Sequence, residues 1–173
     1  MPRCFIAIPV PPDISDKLSQ SLHGLLPDLK LVPASNQHIT LAFLGNQSKE
    51  NIEQIGKRLS ELTFSAIEII IDRIAPFPKP ASTILAGWVR PCQALLFIWE
   101  TINSMLHEAN VASYDDRDFL PHITLARNKP VKPVRSRSIE LIFTANCVNL
   151  YLSESVNGRR TYSIIKSISA TIT

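Results

Sequence analysis

The sequence predicts an α+β protein built on antiparallel sheet, and two observations carry that prediction. Predicted strands and helices are mixed along the chain without the strict alternation that is typical of parallel α/β folds. The pentapeptide His-Ile-Thr-Leu-Ala also occurs twice, at 38–42 and 122–126, each time after a predicted helix. A repeated segment indicates a duplicated unit. We therefore expect two lobes of antiparallel sheet related by pseudo-twofold symmetry, with helices outside and a central cleft, in one two-lobed domain over residues 1–173.

The first half of the chain alternates between strand and helix patterns. Apolar residues at helical spacing follow the first strand, and Asp13 or Ser15 is the predicted cap of that helix, which Pro27 ends. Gly45-Asn46 is a predicted turn. Ser48 is the predicted cap of the second helix, with Glu50 in its first turn. The predicted strands of this half are 3–9, 29–32, 37–44 and 66–75.

The second half contains one long predicted helix at 92–110, introduced by Pro91. The polar segment 113–119 is a predicted loop before the second pentapeptide, and the basic segment 128–138 is a predicted exposed loop. Asn157-Gly158 is a predicted hairpin turn. The predicted strands of this half are 83–90, the second pentapeptide, 139–144, 147–154 and 161–170.

Composition places the chain among ordinary globular proteins. It has 173 residues, of which 45% are hydrophobic and 19% charged, with a net charge of +3. This mild charge fits an anionic ligand but not a protein that coats nucleic acid. Three widely spaced cysteines predict no disulfide framework, and the proline-broken N-terminus predicts no signal peptide. No apolar run has the length of a membrane span. We expect a cytoplasmic monomer that does not bind membranes.

On a strand, the residues of each pentapeptide face two opposite sides of the sheet, one apolar and one polar. Alternate residues of a strand face opposite sides of the sheet. Ile39 and Leu41 can therefore face a core while His38 and Thr40 face the other side. The second copy repeats this pattern, so the sequence predicts a site with two imidazoles and two hydroxyls, from His38, Thr40, His122 and Thr124.

Two imidazoles on either side of a phosphorus atom can catalyse an in-line displacement. One takes a proton from the attacking water and the other gives a proton to the leaving oxygen, so no metal or other cofactor is required. Threonine hydroxyls can donate hydrogen bonds to the phosphate oxygens. Arg127, which lies five residues after His122, is a candidate to bind the phosphate charge.

The paired motifs, His-Ile-Thr-Leu at 38–41 and 122–125, resemble the signature of the two-histidine phosphoesterase superfamily. The chain is most similar to its RNA 2′,3′-cyclic phosphodiesterase branch, also known as the bacterial 2′-5′ RNA ligase group. The paired motif is specific, whereas the flanking segments alone are weak indicators. Flanking segments that resemble the family lie at 3–8, 32–33, 43–45, 76–78, 119–121 and 150–153, with Gly158 and Tyr162 near the end.

The resemblance implies a bilobed fold and hydrolysis of a terminal ribose 2′,3′-cyclic phosphate to a 2′-phosphate. By the same resemblance, His38 is the proton donor to the departing 3′ oxygen and His122 is the base that activates water. Thr40 and Thr124 are implied to hold the phosphate, together with Arg127.

Two further positions of the resemblance concern aromatic contacts to substrate. Phe43 matches a family aromatic near the cleft, although its apolar neighbours make core packing an alternative. Leu31 stands where family members often carry a tryptophan, so no aromatic contact is expected from that position. His23 and His107 have no partner motif and are expected to have surface or packing roles.

Alternative functions remain open from the sequence. The same acid–base pair serves a phosphodiesterase for small cyclic-phosphate nucleotides, or a 2′-5′ RNA ligase that runs the reverse reaction. A non-catalytic RNA- or nucleotide-binding module is a further alternative, which the intact histidines and threonines disfavour. A zinc hydrolase is disfavoured because no Cys, Asp or Glu ligands cluster with the two histidines.

Overall fold

The order of strands and helices along the chain agrees with the two related halves that the repeated pentapeptide predicts. The computed structural model describes residues 2–23, 30–78, 84–111, 119–127 and 135–171. Among the helices in those ranges, none is long and apolar enough to cross a membrane. The elements are β1 Arg3–Pro9, α1 Pro12–Gln20, β2 Lys30–Leu31, β3 His38–Asn46, α2 Lys49–Leu59, β4 Ile67–Pro76, β5 Ile84–Val89, α3 Gln93–Glu108, β6 His122–Arg127, β7 Arg137–Ala145, β8 Cys147–Val156 and β9 Arg159–Ser169, with a 3-10 turn at Ala34–Asn36.

The nine strands of the described residues belong to one curled sheet, and their order is symmetric about its centre. The order is β7-β4-β5-β6-β3-β1-β8-β9, with the short β2 paired to β6. Every pairing between these strands is antiparallel. The two pentapeptide strands, β3 and β6, are adjacent at the centre, and three further strands extend from each. This confirms the predicted α+β fold with two lobes, which are the two halves of a single sheet.

The same irregularity occurs in both pentapeptide strands. Opposite Ala7 in β1 and opposite Ala86 in β5 the register shifts by one residue, and the extra residue is Leu41 in β3 and Leu125 in β6. A bulge of this kind bends its strand and re-aims the side chains beyond it. The two copies therefore match in backbone geometry as well as in sequence.

The core lies between the helices and one face of the sheet. That face is rich in isoleucine, and its residues in β4 are fully or almost fully buried, as are Leu95 and Ile102 of α3. Helix α3 packs against β3 of the other half. Leu18 of α1 fills the space beside Gly87 of β5, with its Cδ2 3.5 Å from the position that a Cβ on Gly87 would occupy. Helices α1 and α3 thus pack across the two halves of the sheet, and this packing holds the two lobes together.

The predicted cap of the first helix is wrong. Helix α1 begins at Pro12 with Pro11 as its N-cap, and no side chain caps it. Proline suits the first helical position because its φ is already helical and its missing N–H would have no partner there. Asp13 lies in the first turn, where its charge complements the helix dipole.

The predicted turn at Gly45-Asn46 is also wrong, because β3 continues through both residues. They pair with Cys4 and Arg3 of β1, and the register shifts between Cys4 and Phe5. Gly45 has a φ of 65°. Glycine adopts this left-handed conformation without a steric penalty, so it serves here as a bulge residue within the strand.

Other local predictions are confirmed. The Ser48 hydroxyl accepts a hydrogen bond from the backbone N–H of Asn51, 3.2 Å away, and so caps α2. Asn157 and Gly158 form the β8–β9 turn with φ values of 50° and 75°. The predicted loop at 128–138 is only partly described, and its residues Arg137 and Ser138 belong to β7. Leu25, Leu26 and Pro27 lie outside the described residues, as does most of 113–119.

Candidate active site

The site is built where the two pentapeptide strands meet. Strands β3 and β6 pair antiparallel at Ile39 and Ile123, and both isoleucines are fully buried on the core face. The residues on either side of each isoleucine therefore face the opposite side of the sheet. In an antiparallel pair, a histidine of one strand then lies across from the threonine of the other. This brings together the four predicted side chains, His38, Thr40, His122 and Thr124.

Both histidines are oriented by the same backbone contact. His38 Nδ1 lies 2.8 Å from the carbonyl oxygen of Asn36, and His122 Nδ1 lies 2.7 Å from that of Leu120. A carbonyl oxygen only accepts, so Nδ1 carries the proton in each ring. Nε2 is then the nitrogen that gains and loses a proton, as a general acid or base requires. The tautomer of each imidazole is thus set by the carbonyl two residues before it.

The electrostatic setting of His38 favours the neutral imidazole. The pKa of His38 is lowered to about 4, mainly by burial and also by the positive charges of His122 and Arg127, while the hydrogen bond to the Asn36 carbonyl opposes the shift. Both His122 and Arg127 therefore lie close enough to His38 for their charges to act on its imidazole. The free protein therefore holds His38 neutral at neutral pH.

Aromatic rings surround His38. Its ring lies 4.7 Å from that of Phe5 and 5.4 Å from that of Tyr162, which meets it edge-on at 83°. Phe5 in turn stacks on Tyr151, with centroids 5.0 Å apart. The Tyr151 hydroxyl accepts a hydrogen bond from the Asn149 side chain at 2.9 Å. These rings exclude water from one side of His38 and account for its burial.

A different group of residues lies against His122. Phe77 meets its ring edge-on at 4.7 Å, and Trp88 lies 6.0 Å away, stacked on Phe77. The guanidinium of Arg73 lies 5.1 Å from the centre of the Trp88 ring, and Arg73 also pairs with Asp72 at 3.0 Å. A cation over an indole face is an attractive interaction. The two imidazoles are therefore chemically alike but have different surroundings.

Phe43 and Arg127 occupy equivalent positions, one in each lobe. Each lies five residues after its histidine and just beyond the bulge, and each is exposed. Phe43 pairs with Phe5, which contacts His38, so Phe43 lies on the cleft face. The alternative that Phe43 packs in the core is wrong, because its side chain is 45% exposed. Leu31, at the position where relatives often have tryptophan, is also 45% exposed.

The threonines are half-buried and lie beside the histidines. Within the described ranges, the hydroxyls of Thr40 and Thr124 make no hydrogen bond to another protein group. A hydroxyl in this position can donate to an anionic oxygen held between the imidazoles. The arrangement therefore offers two acid–base groups, two hydroxyl donors and one guanidinium to the same ligand.

The described residues contain no group of three or more His, Cys, Asp or Glu side chains placed to hold a metal ion. His23 and His107 are both exposed, in agreement with their expected surface or packing roles. Cys4, Cys92 and Cys147 are free thiols.

Sequence reasoning missed the aromatic residues that surround the histidines. Phe5, Tyr151 and Tyr162 lie in segments that resemble the family, but the sequence assigned them no role. Strand alternation offered one signal, since Tyr151 lies between two core leucines and so had to face the cleft side. Their contact with His38 depends on strands that are distant in the chain, and no local pattern reports that.

Comparison with known proteins agrees with this geometry. A family model described as LigT-like phosphoesterase matches residues 8–85, which include the first motif. An RNA 2′,3′-cyclic phosphodiesterase of Archaeoglobus fulgidus is 31% identical over 157 residues, covering 88% of this chain and 82% of that protein. One of Methanocaldococcus jannaschii is 28% identical, covering 95% of this chain and 98% of the relative.

Solved structures share the fold. The structure of Escherichia coli LigT complexed with 3′-AMP matches with a TM-score of 0.87 at 23% identity, covering 99% of this chain and all of that one. The structure of TT0787 from Thermus thermophilus matches with a TM-score of 0.81 at 23% identity, covering 96% and 97% of the two chains. These structures show the shared fold, and the 31% identity to the Archaeoglobus fulgidus relative over most of both chains establishes the family. The chain belongs to the LigT-like phosphoesterases, among the RNA 2′,3′-cyclic phosphodiesterases.

Proposed function

We propose that this protein hydrolyses the terminal 2′,3′-cyclic phosphate of RNA to a 2′-phosphate, without a metal. The single observation that carries the proposal is the meeting of two equivalent histidine–threonine pairs on one face of the β3–β6 junction. Diagonal neighbours on one face of an antiparallel pair are roughly 7–8 Å apart. A phosphate group fits between imidazoles at that separation, with an acid on one side and a base on the other.

The acid–base roles follow from in-line displacement. His122 takes a proton from water as the water oxygen attacks phosphorus, and His38 gives a proton to the 3′ oxygen as its bond to phosphorus breaks. Thr40 and Thr124 donate hydrogen bonds to the nonbridging oxygens, and Arg127 offsets their charge. Phe43 is a candidate contact for the sugar or base because it lies exposed on the cleft face.

A proton donor has to be protonated, and the low pKa of His38 in the free protein opposes this. The bound cyclic phosphate carries a negative charge, which favours the imidazolium form. It also offsets the repulsion that His122 and Arg127 exert on His38. In this proposal the bound substrate raises the pKa of His38, so that the imidazole is protonated before the chemical step.

One chain supplies both histidines, both threonines and Arg127, so a monomer suffices for the reaction. We propose that residues 1–173 act as one two-lobed phosphodiesterase domain. Free cysteines are typical of proteins in reducing compartments, which supports a cytoplasmic location.

The test uses a short RNA with a 2′,3′-cyclic phosphate end, incubated with the protein in EDTA. Phosphorus NMR distinguishes a 2′-phosphate product from a 3′-phosphate product. We expect a 2′-phosphate, and a rate that EDTA does not change. His38→Ala and His122→Ala should each lower kcat by roughly 10²–10⁴-fold, which is the usual contribution of a general acid or base.

His107→Ala, on the exposed end of α3, is the matched control and should retain full activity. A 3′-phosphate product, or turnover that needs added zinc, would contradict the proposal. Adding an RNA with a 5′-hydroxyl tests the ligase alternative, because a joined product would then compete with hydrolysis. Replacing the RNA by a single nucleoside 2′,3′-cyclic phosphate tests whether small nucleotides are the better substrates.

A further inference from the structure

The β8–β9 hairpin extends beyond the rest of the sheet beside His38. Strand β8 pairs with β1 as far as Ser153, and its continuation, residues 154–156, pairs with β9 alone among the described strands. Tyr162 of β9 lies 5.4 Å from the His38 ring and forms part of the wall of a cavity of about 220 Å³ beside that ring. The hairpin therefore bends towards the cleft and borders the candidate site.

One residue connects the hairpin to His38. The side chain of Asn36 donates a 2.8 Å hydrogen bond to the carbonyl oxygen of Arg160 in β9, while the carbonyl oxygen of Asn36 accepts from His38 Nδ1. These two contacts join the 3-10 turn, the hairpin and the imidazole. The position of the hairpin relative to His38 is therefore fixed through its backbone, and it does not depend on the Arg160 side chain.

Two arginines lie beside Ser153 on the cleft face of this region. Tyr162, which contacts His38, pairs with Ser153 on one side, and Arg3 pairs with Ser153 on the other. Side chains of directly opposite residues in an antiparallel pair share a face, with Cβ atoms roughly 4.5–5.5 Å apart. The Arg160 side chain also reaches Ser153, with Nη1 3.4 Å from its Oγ. Arg3 and Arg160 therefore approach the same hydroxyl from neighbouring strands.

The charges of these two arginines are not offset by a carboxylate of the described residues. Both are exposed, and neither forms a salt bridge within the part of the chain that the structure describes. In the other lobe, by contrast, Asp72 lies 3.0 Å from Arg73 and 3.8 Å from Arg90. Positive charges that lie close together repel, and an anion between them removes the repulsion. Guanidinium groups and a serine hydroxyl are suited donors to a phosphate.

We propose that Arg3, Ser153 and Arg160 bind the phosphodiester that joins the terminal nucleoside to the preceding nucleotide of the RNA strand. The inference rests on the proposed function, in which His38 protonates the departing 3′ oxygen. That oxygen belongs to the terminal ribose, so the ribose and the strand attached to its 5′ oxygen lie on the His38 side of the reacting phosphate. The β8–β9 hairpin and its two arginines lie on that same side.

This site determines the preferred length of the substrate. Contacts to backbone phosphates position a strand without reading its bases, so the site accepts any sequence. A free nucleoside 2′,3′-cyclic phosphate has no such phosphodiester and gains nothing from the two arginines. The protein therefore prefers the ends of RNA strands to free cyclic-phosphate nucleotides.

The experiment compares two dinucleotides that end in a 2′,3′-cyclic phosphate. Both are adenylyl-adenosine, and they differ in the internal linkage, which is a charged phosphodiester in one and an uncharged methylphosphonate in the other. An exposed charge pair contributes up to about fivefold in affinity. With two arginines, the wild-type KM should be roughly 5- to 25-fold lower for the phosphodiester, at similar kcat. Arg160→Ala should remove much of this preference, and the double variant Arg3→Ala/Arg160→Ala should remove all of it.

Two controls separate a specific contact from a general effect of charge. Arg58→Ala removes the same charge from α2, where Arg58 lies 3.9 Å from Glu108, and it should keep the wild-type preference. With adenosine 2′,3′-cyclic phosphate, which lacks the phosphodiester, the double variant should have nearly the wild-type KM. The slope of log KM against log KCl concentration for the phosphodiester substrate should be less steep in the double variant by about 0.7, the value for one single-strand phosphate.

Each contrary outcome has a distinct meaning. Failure of the wild type to hydrolyse any of the three substrates overturns the proposed function itself. Turnover of all three with equal KM for the two dinucleotides, or a preference that survives in the double variant, overturns the inference alone. Loss of the preference in Lys30→Ala, with none in Arg160→Ala, places the phosphodiester beside Arg127, the strand partner of Lys30, and also overturns the inference.

A second variant keeps the test decisive if Arg160→Ala does not fold. Arg160→Gln keeps a long polar side chain and the backbone carbonyl that accepts from Asn36, and it removes only the charge. It should reduce the preference for the phosphodiester while kcat is retained. An equal loss of kcat on all three substrates would show that Arg160 only supports the position of the hairpin against His38, which overturns the inference.

Discussion

At the scale of single residues, the decisive property is the protonation state of His38. A histidine held neutral by an aromatic cage is a poor acid until an anion arrives, and a better one afterwards. His38 and His122 have the same backbone contact at Nδ1, so their differences come from the rings and charges around them. In the proposed mechanism, proton donation by His38 and proton abstraction by His122 thus arise from two nearly identical peptides.

The low pKa of His38 also makes stability depend on pH. Unfolded, its pKa is that of an ordinary histidine, 6.5, whereas folded it is about 4. Between these values the unfolded chain binds a proton that the folded chain does not, so stability falls as pH falls from 6.5 to 4. The contribution of His38 to this loss is about 3 kcal/mol, at about 1.36 kcal/mol per unit of pKa.

Urea denaturation at a series of pH values measures this effect. His38→Asn, which does not titrate, should lose stability less steeply between pH 6.5 and pH 4 than the wild type. Thr40→Ala keeps His38 and is the control, with the wild-type slope. Equal slopes in His38→Asn and the wild type would show that His38 is not held neutral.

At the scale of elements, backbone conformation at a few positions determines where strands end and turn. Both residues of the β8–β9 turn have positive φ, as a two-residue hairpin of this twist requires. This hairpin positions Tyr162 against His38, so its geometry bears on the site. Gly45 uses the same conformational freedom to form a bulge rather than a turn, because β1 continues to pair with β3 on its far side.

Two glycine substitutions separate the effect of backbone conformation on stability from the effect of side-chain packing. A Cβ at Gly158 or at Gly56 would meet no other atom within 4 Å. Gly158 has a φ of 75°, so Gly158→Ala should destabilise the protein by about 1–2 kcal/mol. Gly56 lies within α2, so Gly56→Ala should stabilise it by about 0.5–1 kcal/mol. Thermal unfolding of the two variants tests this, and shifts of the same sign would contradict it.

At the scale of the whole molecule, the two lobes are fastened by one sheet and by helices that cross between them. Leu18 comes from the first half of the chain and is fully buried against Gly87 of the second. Gly87 pairs with Ile123 on the strand that carries His122. The packing of α1 therefore supports the lobe that positions the second histidine.

Leu18→Ala tests this connection. Truncating a fully buried leucine usually costs about 2–5 kcal/mol. In a Trp99→Phe background, Trp88 in β5 is the remaining tryptophan, so fluorescence follows the lobe that carries His122 while far-UV circular dichroism follows the whole chain. We expect Leu18→Ala to lower both urea midpoints equally. Two separated midpoints would show that the lobes unfold independently, and Ile164→Ala, an exposed position in β9, should change little.

Much of the fold could be predicted because its signals are local. Alternation and helical spacing depend on neighbouring residues, and they located the strands and helices to within a few residues. The caps and turns were predicted less well. Asp13 or Ser15 was predicted to cap α1, but the helix begins at Pro12 with Pro11 as its N-cap. The turn predicted at Gly45 is a bulge, because pairing with β1 overrode the local preference for a turn.

By itself, the sequence determined which residues of the two pentapeptides face the core and which face the opposite side of the sheet. The repeated pentapeptide, with its period of two, assigned His38, Thr40, His122 and Thr124 to one face and the aliphatic residues between them to the other. Only the tertiary structure decided that β3 and β6 are neighbours, that His38 is enclosed by Phe5, Tyr151 and Tyr162, and that a cavity lies beside it. The physical reason is that a residue's facing direction follows from its own strand, whereas its surroundings depend on which distant strands pair and pack around it.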